Sequence, residues 1–375
     1  MTTSQISLPN PRTWSPQDKV FVPRVRADAV NAIGLLLNKP LFIGQCTTGP
    51  APNGAVVTLD TELADTWNGH LQNVAVAFAG LQANYYCQLP GWYLCDFRCP
   101  FNYTSSTPAS LTAGWNGISN GSGYGPVYGA VTANGSTQPT IIARAVDLIA
   151  MPLSGPPNTG TSDLVQPYAG GTTANLATSG ADIPTASVRW VCATSGTASL
   201  PVPPLATAPS PITSAWLNSN VRDTIRFLVY PPAFKAHYVA GSSSLANSTL
   251  TTPQVVPLST ADLDNYSGLT TGASAKWTAP VSGRYLFAGQ VNLAGSSAAT
   301  WYACGLLVNG ATLYWGGVVR HAGTSLDAGA GVTKRLRLNA GDFVQLVAAQ
   351  ASGGSIAYHT NAANQTRLIG LWEGL

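Results

Sequence analysis

The sequence carries the stretch Val56-Val-Thr-Leu-Asp-Thr-Glu-Leu-Ala-Asp-Thr-Trp-Asn-Gly69 and later a second version of it, Val255-Val-Pro-Leu-Ser-Thr-Ala-Asp-Leu-Asp-Asn-Tyr-Ser-Gly268. Six of the fourteen aligned positions are identical, and Trp67 is matched by Tyr266. Self-similarity of this kind is the sequence signature of a repeated structural unit. We therefore interpret the chain as two homologous domains in tandem.

Further matches occur in the same order along both copies. Gly91-Trp-Tyr-Leu94 matches Gly283-Arg-Tyr-Leu286, Asn120-Gly121 matches Asn309-Gly310, and Val188-Arg-Trp190 matches Thr366-Arg-Leu368 more weakly. The offset between the copies falls from 199 to 192, 189 and 178 residues. A fixed order with changing spacing indicates shared strands and loops of different length. The difference predicts a late loop insertion in the first copy, over residues 152–187.

A short helix is predicted before each copy. In the segment from Trp216 to Leu228, apolar residues recur at the three- and four-residue spacing of one helix face: Leu217, Val221, Ile225 and Leu228. Thr213 or Ser214 is the predicted cap, and Pro231-Pro232 is expected to end the helix. The first copy repeats the pattern with Val25, Ala29, Ile33 and Leu36.

The rest of each copy has the pattern of short β-strands. From Arg284 to Leu293, apolar and polar residues alternate, which is typical of a strand with one buried face. Asn309-Gly310 separates two further strand-like runs and suits a tight hairpin turn. Many short strands with turn signals between them indicate a β-sandwich or jelly roll.

Composition excludes several classes of protein. Only 33 of 375 residues are charged, or 9%, where about 25% is typical. A hydrophobic fraction of 45% argues against disorder, and a net charge of +3 argues against a nucleic-acid partner. The amino terminus lacks the basic and apolar regions of a signal peptide, and the longest aliphatic stretch, near residues 32–37, is too short to cross a membrane. We therefore expect no membrane partner.

The second copy resembles a known family. It contains Trp277-Thr-Ala-Pro-Val-Ser-Gly-Arg-Tyr-Leu-Phe287, Leu307-Val-Asn-Gly310, Leu336-Arg-Leu-Asn-Ala-Gly-Asp-Phe-Val-Gln-Leu346 and Leu368-Ile-Gly-Leu-Trp372. This ordered set resembles the C1q/TNF-like jelly roll. The first copy keeps Gly91, Tyr93 and Leu94 but lacks the Gly-Asp step, which Val146-Asp-Leu-Ile149 is expected to replace.

The resemblance implies an all-β chain of two tandem antiparallel jelly rolls, each preceded by a short helix. It also implies a homotrimer, built either as two stacked trimeric layers or as a sixfold-like ring of three two-domain chains. The predicted segments are an N-terminal docking arm (1–24), a helix (25–42), jelly roll 1 with its loop insertion (43–195), a Pro-rich linker (196–214), a helix (215–234) and jelly roll 2 (235–375).

Two further segments, Pro11-Arg-Thr-Trp14 and Trp216-Leu-Asn-Ser-Asn-Val-Arg-Asp223, resemble parts of virion proteins of phages that infect actinobacteria. This resemblance implies a virion protein made in the host cytoplasm, a minor tail or fibre-like protein whose arm binds a neighbouring virion protein. A capsid-associated head fibre or decoration protein, and a secreted C1q-like lectin or adhesin, are the alternatives.

The sequence contains no recognisable catalytic or metal-binding motif. His70, His237, His321 and His359 belong to no catalytic or metal-binding motif and are interpreted as turn or surface residues. The six cysteines are interpreted as small buried apolar residues. Asp262 and Asp264, like Glu62 and Asp65, fit either a calcium-type cluster or turn chemistry. We expect no catalytic residue, no cofactor and no metal.

Aromatic residues in Gly-rich stretches are the candidate ligand contacts: Trp115, Tyr124, Tyr128, Tyr314 and Trp315. Aromatic faces beside amides are suited to stacking on sugars, so host cell-wall glycan is the expected ligand class. The alternative is that these rings fill the sandwich core or the trimer interface.

Overall fold

The structure is a computed structural model that describes Ile33, Leu35, Leu36 and residues 39–47, 55–57, 59, 61–66, 70–71, 84–87, 89–103, 109–119, 122–133, 138–151, 164–170, 174–176, 183–193, 214–239, 243–294, 301–320, 328–359 and 365–374. The predicted N-terminal arm, most of the first predicted helix and nearly all of the linker lie outside these residues.

The first copy is a sandwich of two antiparallel sheets. Its strands are β1 (Leu41–Gln45), β2 (Ala55–Val56), β3 (Thr61–Asp65), β4 (His70–Leu71), β5 (Asn84–Tyr86), β6 (Gly91–Tyr103), β7 (Ala109–Ser119), β8 (Ser122–Ala133), β9 (Gln138–Met151), β10 (Leu164–Gly170), β11 (Ala174–Leu176) and β12 (Thr185–Cys192). One sheet has the order β9-β6-β12-β1-β3, with β11 also beside β6. The other has the order β4-β5-β10-β7-β8, with β2 beside β10.

The second copy repeats this arrangement. Its strands are β13 (Ala233–His237), β14 (Ser244–Leu245), β15 (Gln254–Val255), β16 (Thr260–Asp264), β17 (Leu269–Thr270), β18 (Lys276–Thr278), β19 (Gly283–Leu293), β20 (Trp301–Val308), β21 (Thr312–Arg320), β22 (Ala328–Leu338), β23 (Phe343–Gln350), β24 (Ile356–Ala357) and β25 (Arg367–Gly374). The sheets run β22-β19-β25-β13-β16 and β17-β18-β23-β20-β21, and β14 and β24 pair separately.

In both copies the first strand of the sandwich pairs with the last, so β1 lies beside β12 and β13 lies beside β25. Sequence-distant strands are therefore neighbours in each sheet, as in a jelly roll. The chain is thus two tandem antiparallel jelly rolls, as the sequence predicted. We call the sheets that contain β1 and β13 the facing sheets, and the other two large sheets the outer sheets.

The two copies also share individual hydrogen bonds. The hydroxyl of Tyr93 donates to the carbonyl of Leu89 at 2.8 Å, and the hydroxyl of Tyr285 donates to the carbonyl of Val281 at 2.7 Å. A Cβ at Gly283 would lie 2.3 Å from the indole nitrogen of Trp372, so only glycine fits at the start of β19. The same restriction holds at Gly91 in β6.

The last step of the sequence alignment was wrong. Trp190 pairs with Tyr93 and Trp372 pairs with Tyr285, so Trp190 is equivalent to Trp372 rather than to Leu368. Each indole nitrogen also donates to the carbonyl just before the β6 or β19 strand, at 3.3 and 3.4 Å. The incorrect match arose because each strand contains an arginine. These arginines are not equivalent, since Arg189 lies in the middle of β12 and Arg367 is the first residue of β25.

The late insertion is not simply a loop. It contains β10, which pairs with β7 along seven residues, and Val165 and Ala169 on it are fully buried. Its sequence, Leu164-Val-Gln-Pro-Tyr-Ala-Gly170, was missed because a proline argues against a central strand. β10 is the equivalent of β23, so Val146–Ile149 does not replace the Gly-Asp step and lies instead in β9.

A helical segment joins the copies: α1 (Ser214–Leu217), a π-helical turn (Asn218–Arg222) and α2 (Asp223–Val229). Ile225 and Val229 enter the first core. Phe227 packs edge-on against Trp372 of the second copy, with ring centroids 5.0 Å apart. Of the predicted face, only Ile225 is fully buried. After the π turn, Val229 rather than the predicted Leu228 enters the core, because a π turn contains more residues than an α turn and rotates the residues after it.

Predicted boundaries and observed ones differ slightly. The helix predicted over 25–42 includes Leu41 and Phe42, which begin β1, and helical residues described there are Ile33, Leu35 and Leu36. The second jelly roll begins at Ala233, two residues before 235. These differences arise because apolar residues at a helix exit suit either element.

Candidate functional site

The two jelly rolls pack against each other through their facing sheets. A cluster of buried apolar residues spans the boundary: Trp92, Leu94, Leu148, Val191 and Cys192 from the first copy, and Ala233, Leu286, Ala288, Ile369 and Leu371 from the second. Burial of each large side chain contributes about 1.5–3 kcal/mol. The contact therefore joins the copies into one body.

The contact is asymmetric, as the burial of equivalent strands shows. In β1, alternate residues are only half-buried, whereas four of the five residues of its equivalent β13 are buried and the fifth, Lys235, is half-buried. In β12, alternate residues are half-buried at the beginning of the strand and all residues are buried at its end. In β25, the residues at the beginning are buried and the last three are half-buried. The first copy therefore contributes a different part of its facing sheet from the second.

The side chains match this asymmetry. Leu94 and Leu286 are equivalent, and across the sheet Leu94 lies between Leu148 and Arg189, whereas Leu286 lies between Arg335 and Leu371. Leu148 and Leu371 are buried in the contact. Their equivalents, Arg335 and Arg189, have side chains that are 66% and 38% exposed. At each of these two pairs of equivalent positions, the residue buried between the copies is a leucine and the partly exposed residue is an arginine.

A buried ionic group crosses the boundary at one side of the apolar cluster. The ammonium of Lys235 lies 2.9 Å from Asp147 Oδ1 and donates to the carbonyl of Leu148 at 2.9 Å. Asp147 Oδ1 also accepts from the backbone N–H of Leu148. Arg367 Nε lies 3.9 Å from the same oxygen. Since breaking a buried pair leaves an uncompensated charge, this group fixes how the copies meet.

His237 and Asp262 extend the ionic group within the second copy. His237 Nδ1 and Asp262 Oδ2 are 3.0 Å apart. Burial opposes ionisation of Asp262, but the hydrogen bond with His237 and the positive charges of Lys235 and Arg367 outweigh it, so the pKa of Asp262 lies below its ordinary value. The carboxylate is therefore ionised at neutral pH and balances the nearby cations.

A second ionic bridge lies on the other side of the apolar cluster. Glu373 accepts hydrogen bonds from Arg189 of the first copy at 3.3 Å and from Arg335 of the second at 2.8 Å. A cavity of about 350 Å³ opens beside it between β1 and β12 on one side and β22 on the other. The bridge is partly exposed, so it contributes less than the buried group.

Three of the five predicted ligand residues lie in the first copy. Trp115 is 1% exposed, and its indole nitrogen donates to the carbonyl of Ala145 across the core. It fits the alternative of a core ring and presents no open face to a ligand. Tyr124 and Tyr128 lie on the edge strand β8, paired with Gly117 and Gly114, and their side chains lie outside the described part of the chain.

Tyr314 and Trp315 lie on β21, the equivalent edge strand of the second copy. As neighbours on a strand, they point to opposite faces. Trp315 covers Gly305 on the outside of the outer sheet, where a Cβ on that glycine would lie 2.9 Å from the ring. Tyr314 is 36% exposed at the edge. β8 also approaches β21 and β22 across the boundary, so the edge strands that carry four candidates lie near one another.

Sequence reasoning missed the ionic group. His237 was interpreted as a turn or surface residue, but it is buried beside Asp262. The available signal was a charged residue inside an apolar strand of a sparsely charged chain, as in Ala233-Phe-Lys-Ala-His237 and Ala145-Val-Asp-Leu-Ile149. Asp264 does serve a turn, because its carboxylate accepts from the N–H groups of Gly268 and Leu269.

The six cysteines are buried and none forms a disulfide bond, in agreement with their interpretation as small apolar residues. Burial raises the pKa of the Cys192 thiol to about 12, although the positive charge of Lys39 opposes this. Among the residues that the structure describes, no group of three His, Cys, Asp or Glu side chains is placed to hold a metal ion. No described helix has the length and apolar character needed to span a membrane.

No family model and no curated protein matches the chain. Many solved structures are similar to it, including the following three. The globular domain of zebrafish complement 1qA protein is 15% identical, covers 40% of this chain and 96% of its own, and has a TM-score of 0.26. Murine APRIL is 12% identical over 38% and 98%, with a TM-score of 0.28. The PRD1 vertex protein is 15% identical over 38% and 73%, with a TM-score of 0.27. The fold assignment rests on strand order and register.

Proposed function

We propose that the chain is a structural subunit of a bacteriophage virion, a trimeric minor tail or fibre-like protein that also binds host cell-surface glycan. The observation that carries the structural role is the packing of two jelly rolls into one body through apolar contacts and a buried ionic group. The low charge of the chain supports the same role, since little repulsion opposes close packing of subunits. The phage origin is supported by the segments at residues 11–14 and 216–223.

The trimer is proposed as a sixfold-like ring of three two-domain chains. The facing sheets of the two copies are already used within the chain, so they are not free to build stacked layers of like domains. Exposed apolar residues on edge strands are the proposed contacts between chains, Leu63 on β3 and Val318 on β21, which are 56% and 49% exposed. Edge strands offer unpaired backbone groups that favour such pairing.

Light scattering on the purified chain tests the trimer. The expected particle has three times the chain mass, and Leu63→Glu or Val318→Glu lowers that mass because a charge enters an apolar contact. Ser244→Glu is the control, since this exposed residue lies on β14, outside both large sheets. A wild-type chain that runs as a monomer at micromolar concentration contradicts the trimer.

Labelled antibody on intact phage particles tests the virion role. Label at the tail tip supports the minor tail or fibre role, and label over the shell indicates a head fibre or decoration protein instead. The absence of label from particles whose genome encodes this chain contradicts the proposal.

Trp315 is the proposed sugar contact, because its ring lies on the outside of the sheet. Trp315→Ala is expected to lower binding of the purified chain to isolated host cell walls about two- to tenfold, since an aromatic stacking contact contributes about 0.5–1.5 kcal/mol. Tyr314→Phe is the control, because that side chain points to the opposite face of β21. Equal binding by wild type and Trp315→Ala would leave the ring without a role in attachment.

A further inference from the structure

A cavity of about 420 Å³ lies between the two jelly rolls. Its walls come from β9 of the first copy and from β19, β21, β22 and β25 of the second. Ligand sites of proteins typically occupy about 300–1,000 Å³ and occur preferentially between domains. The cavity is thus large enough for a molecule of monosaccharide size.

Arg367 lines this cavity and is incompletely bonded. The residue is 3% exposed, and its Nε and Nη2 nitrogens have no hydrogen-bond acceptor among the described residues. Its nearest carboxylate oxygen, Asp147 Oδ1, lies 3.9 Å away and is already held by Lys235. A buried donor without an acceptor costs about 1–3 kcal/mol, more when it is charged. Both nitrogens have almost no accessible surface, so an acceptor in the cavity recovers that free energy when the guanidinium turns toward it.

The charges that line the cavity have one sign. Arg144 and Arg367 are the charged residues on its walls, and no described carboxylate lies there. Arg144 is paired with Asp96 outside the cavity. Burial lowers the pKa of Arg367, although the charges of Asp147 and Asp262 oppose this. The charged guanidinium is therefore poorly compensated, and an anion beside it would stabilise it.

Glycine shapes the wall that faces these arginines. Gly289, Gly316, Gly317, Gly329 and Gly331 all line the cavity. A Cβ on Gly316 would lie 2.3 Å from the carbonyl oxygen of Gly331, so the strands approach closely there. On Gly317 a Cβ would meet nothing nearer than 3.8 Å, so the space in front of that residue is open.

We propose that this cavity binds the carboxylate or phosphate group of a small polar ligand, with Arg367 as the principal contact. A planar guanidinium with free N–H groups matches both oxyanions in a two-bonded geometry. The ligand body would lie along the glycine-lined wall. This site goes beyond the proposed virion role and does not depend on it.

Calorimetric titration of the full chain at low salt tests the site, with glucuronate as the carboxylate probe, glucose 6-phosphate as the phosphate probe and glucose as the neutral one. At least one anionic probe is expected to bind with a Kd of about 1 mM or lower, equivalent to about −4 kcal/mol. Glucose is expected to bind at least tenfold more weakly. The anion that binds identifies the ligand's charged group.

Two variants locate the binding. Arg367→Met removes the guanidinium, and Gly317→Leu fills the open space; each is expected to weaken the anionic probe at least tenfold. Gly354→Leu is the matched control, because nothing lies within 4 Å of a Cβ there. If Arg367→Met does not fold, Gly317→Leu still decides the question. Failure of both anions to bind wild type, or undiminished binding by Gly317→Leu, overturns the proposal.

Discussion

Lys39 carries a positive charge at a largely desolvated position, which destabilises its charged form. Burial lowers its pKa to about 8, the positive charge of Arg189 acts in the same direction, and Cys192 opposes them. Its ammonium lies 5.3 Å from the centroid of the Trp190 ring. A cation over an aromatic face gains about 0.5–2 kcal/mol. A fall in pKa from 10.5 to about 8 corresponds to about 3 kcal/mol. Desolvation therefore outweighs the ring contact.

Lys39→Met is expected to stabilise the protein by about 1–2 kcal/mol at pH 7, since the desolvation cost exceeds the lost contact. Between about pH 8 and 10.5 the unfolded chain holds the proton more tightly, so wild-type stability rises with pH. The advantage of the variant should therefore disappear by about pH 10.5. Urea unfolding at both pH values measures it, with Lys334→Met as the exposed-site control. A variant less stable than wild type at pH 7 contradicts this account.

At the scale of elements, each copy ties the start of its first facing-sheet strand to the turn after β3 or β16 through one side chain. In the second copy, Asn265 accepts from the N–H of Ala233 at 2.9 Å and donates to the carbonyl of Pro231 at 2.7 Å. In the first copy, Thr66 Oγ1 accepts from the N–H of Leu41 and donates to the carbonyl of Lys39, both at 3.0 Å. Two residue types therefore perform one structural task.

Asn265→Val is expected to destabilise the protein by about 1–3 kcal/mol, because it leaves a strand N–H and a carbonyl without partners. Asn265→Thr should recover at least half of that loss, because threonine makes both bonds at the equivalent position. Chemical denaturation of the two variants gives the comparison. Equal destabilisation by valine and threonine would mean that the two turns are not equivalent.

Much of each sandwich is readable from sequence because its strands alternate or carry a shared motif. The Gly-x-Tyr-Leu motif begins β6 and β19 in the same place. β10 was not readable, because Pro167 breaks the expected strand composition. The contact between the copies was also missed. Its signal, leucine in one copy and arginine at the equivalent position, becomes visible only once the strand registers are known.

At the scale of the whole molecule, the copies have diverged to meet in one way. Leu148 and Leu371 are apolar because they are covered, and their equivalents Arg335 and Arg189 face the partly open side. The Asp147–Lys235 pair also fixes which part of each copy faces the other. The equivalent of Asp147 in the second copy is Lys334, and the equivalent of Lys235 in the first copy is Ile43, so the same ion pair cannot form with the two copies exchanged. The chain is therefore one asymmetric body rather than two independent domains.

A double-mutant cycle between Asp147 and Lys235 tests this packing most directly. Urea unfolding of Asp147→Asn, Lys235→Met and the double variant is expected to give a coupling of about 1–3 kcal/mol, because the two side chains touch only if the copies pack as described. Asp147→Asn combined with Lys334→Met should be additive. Additivity of the Asp147 and Lys235 changes within about 0.5 kcal/mol would contradict the packing of the two jelly rolls.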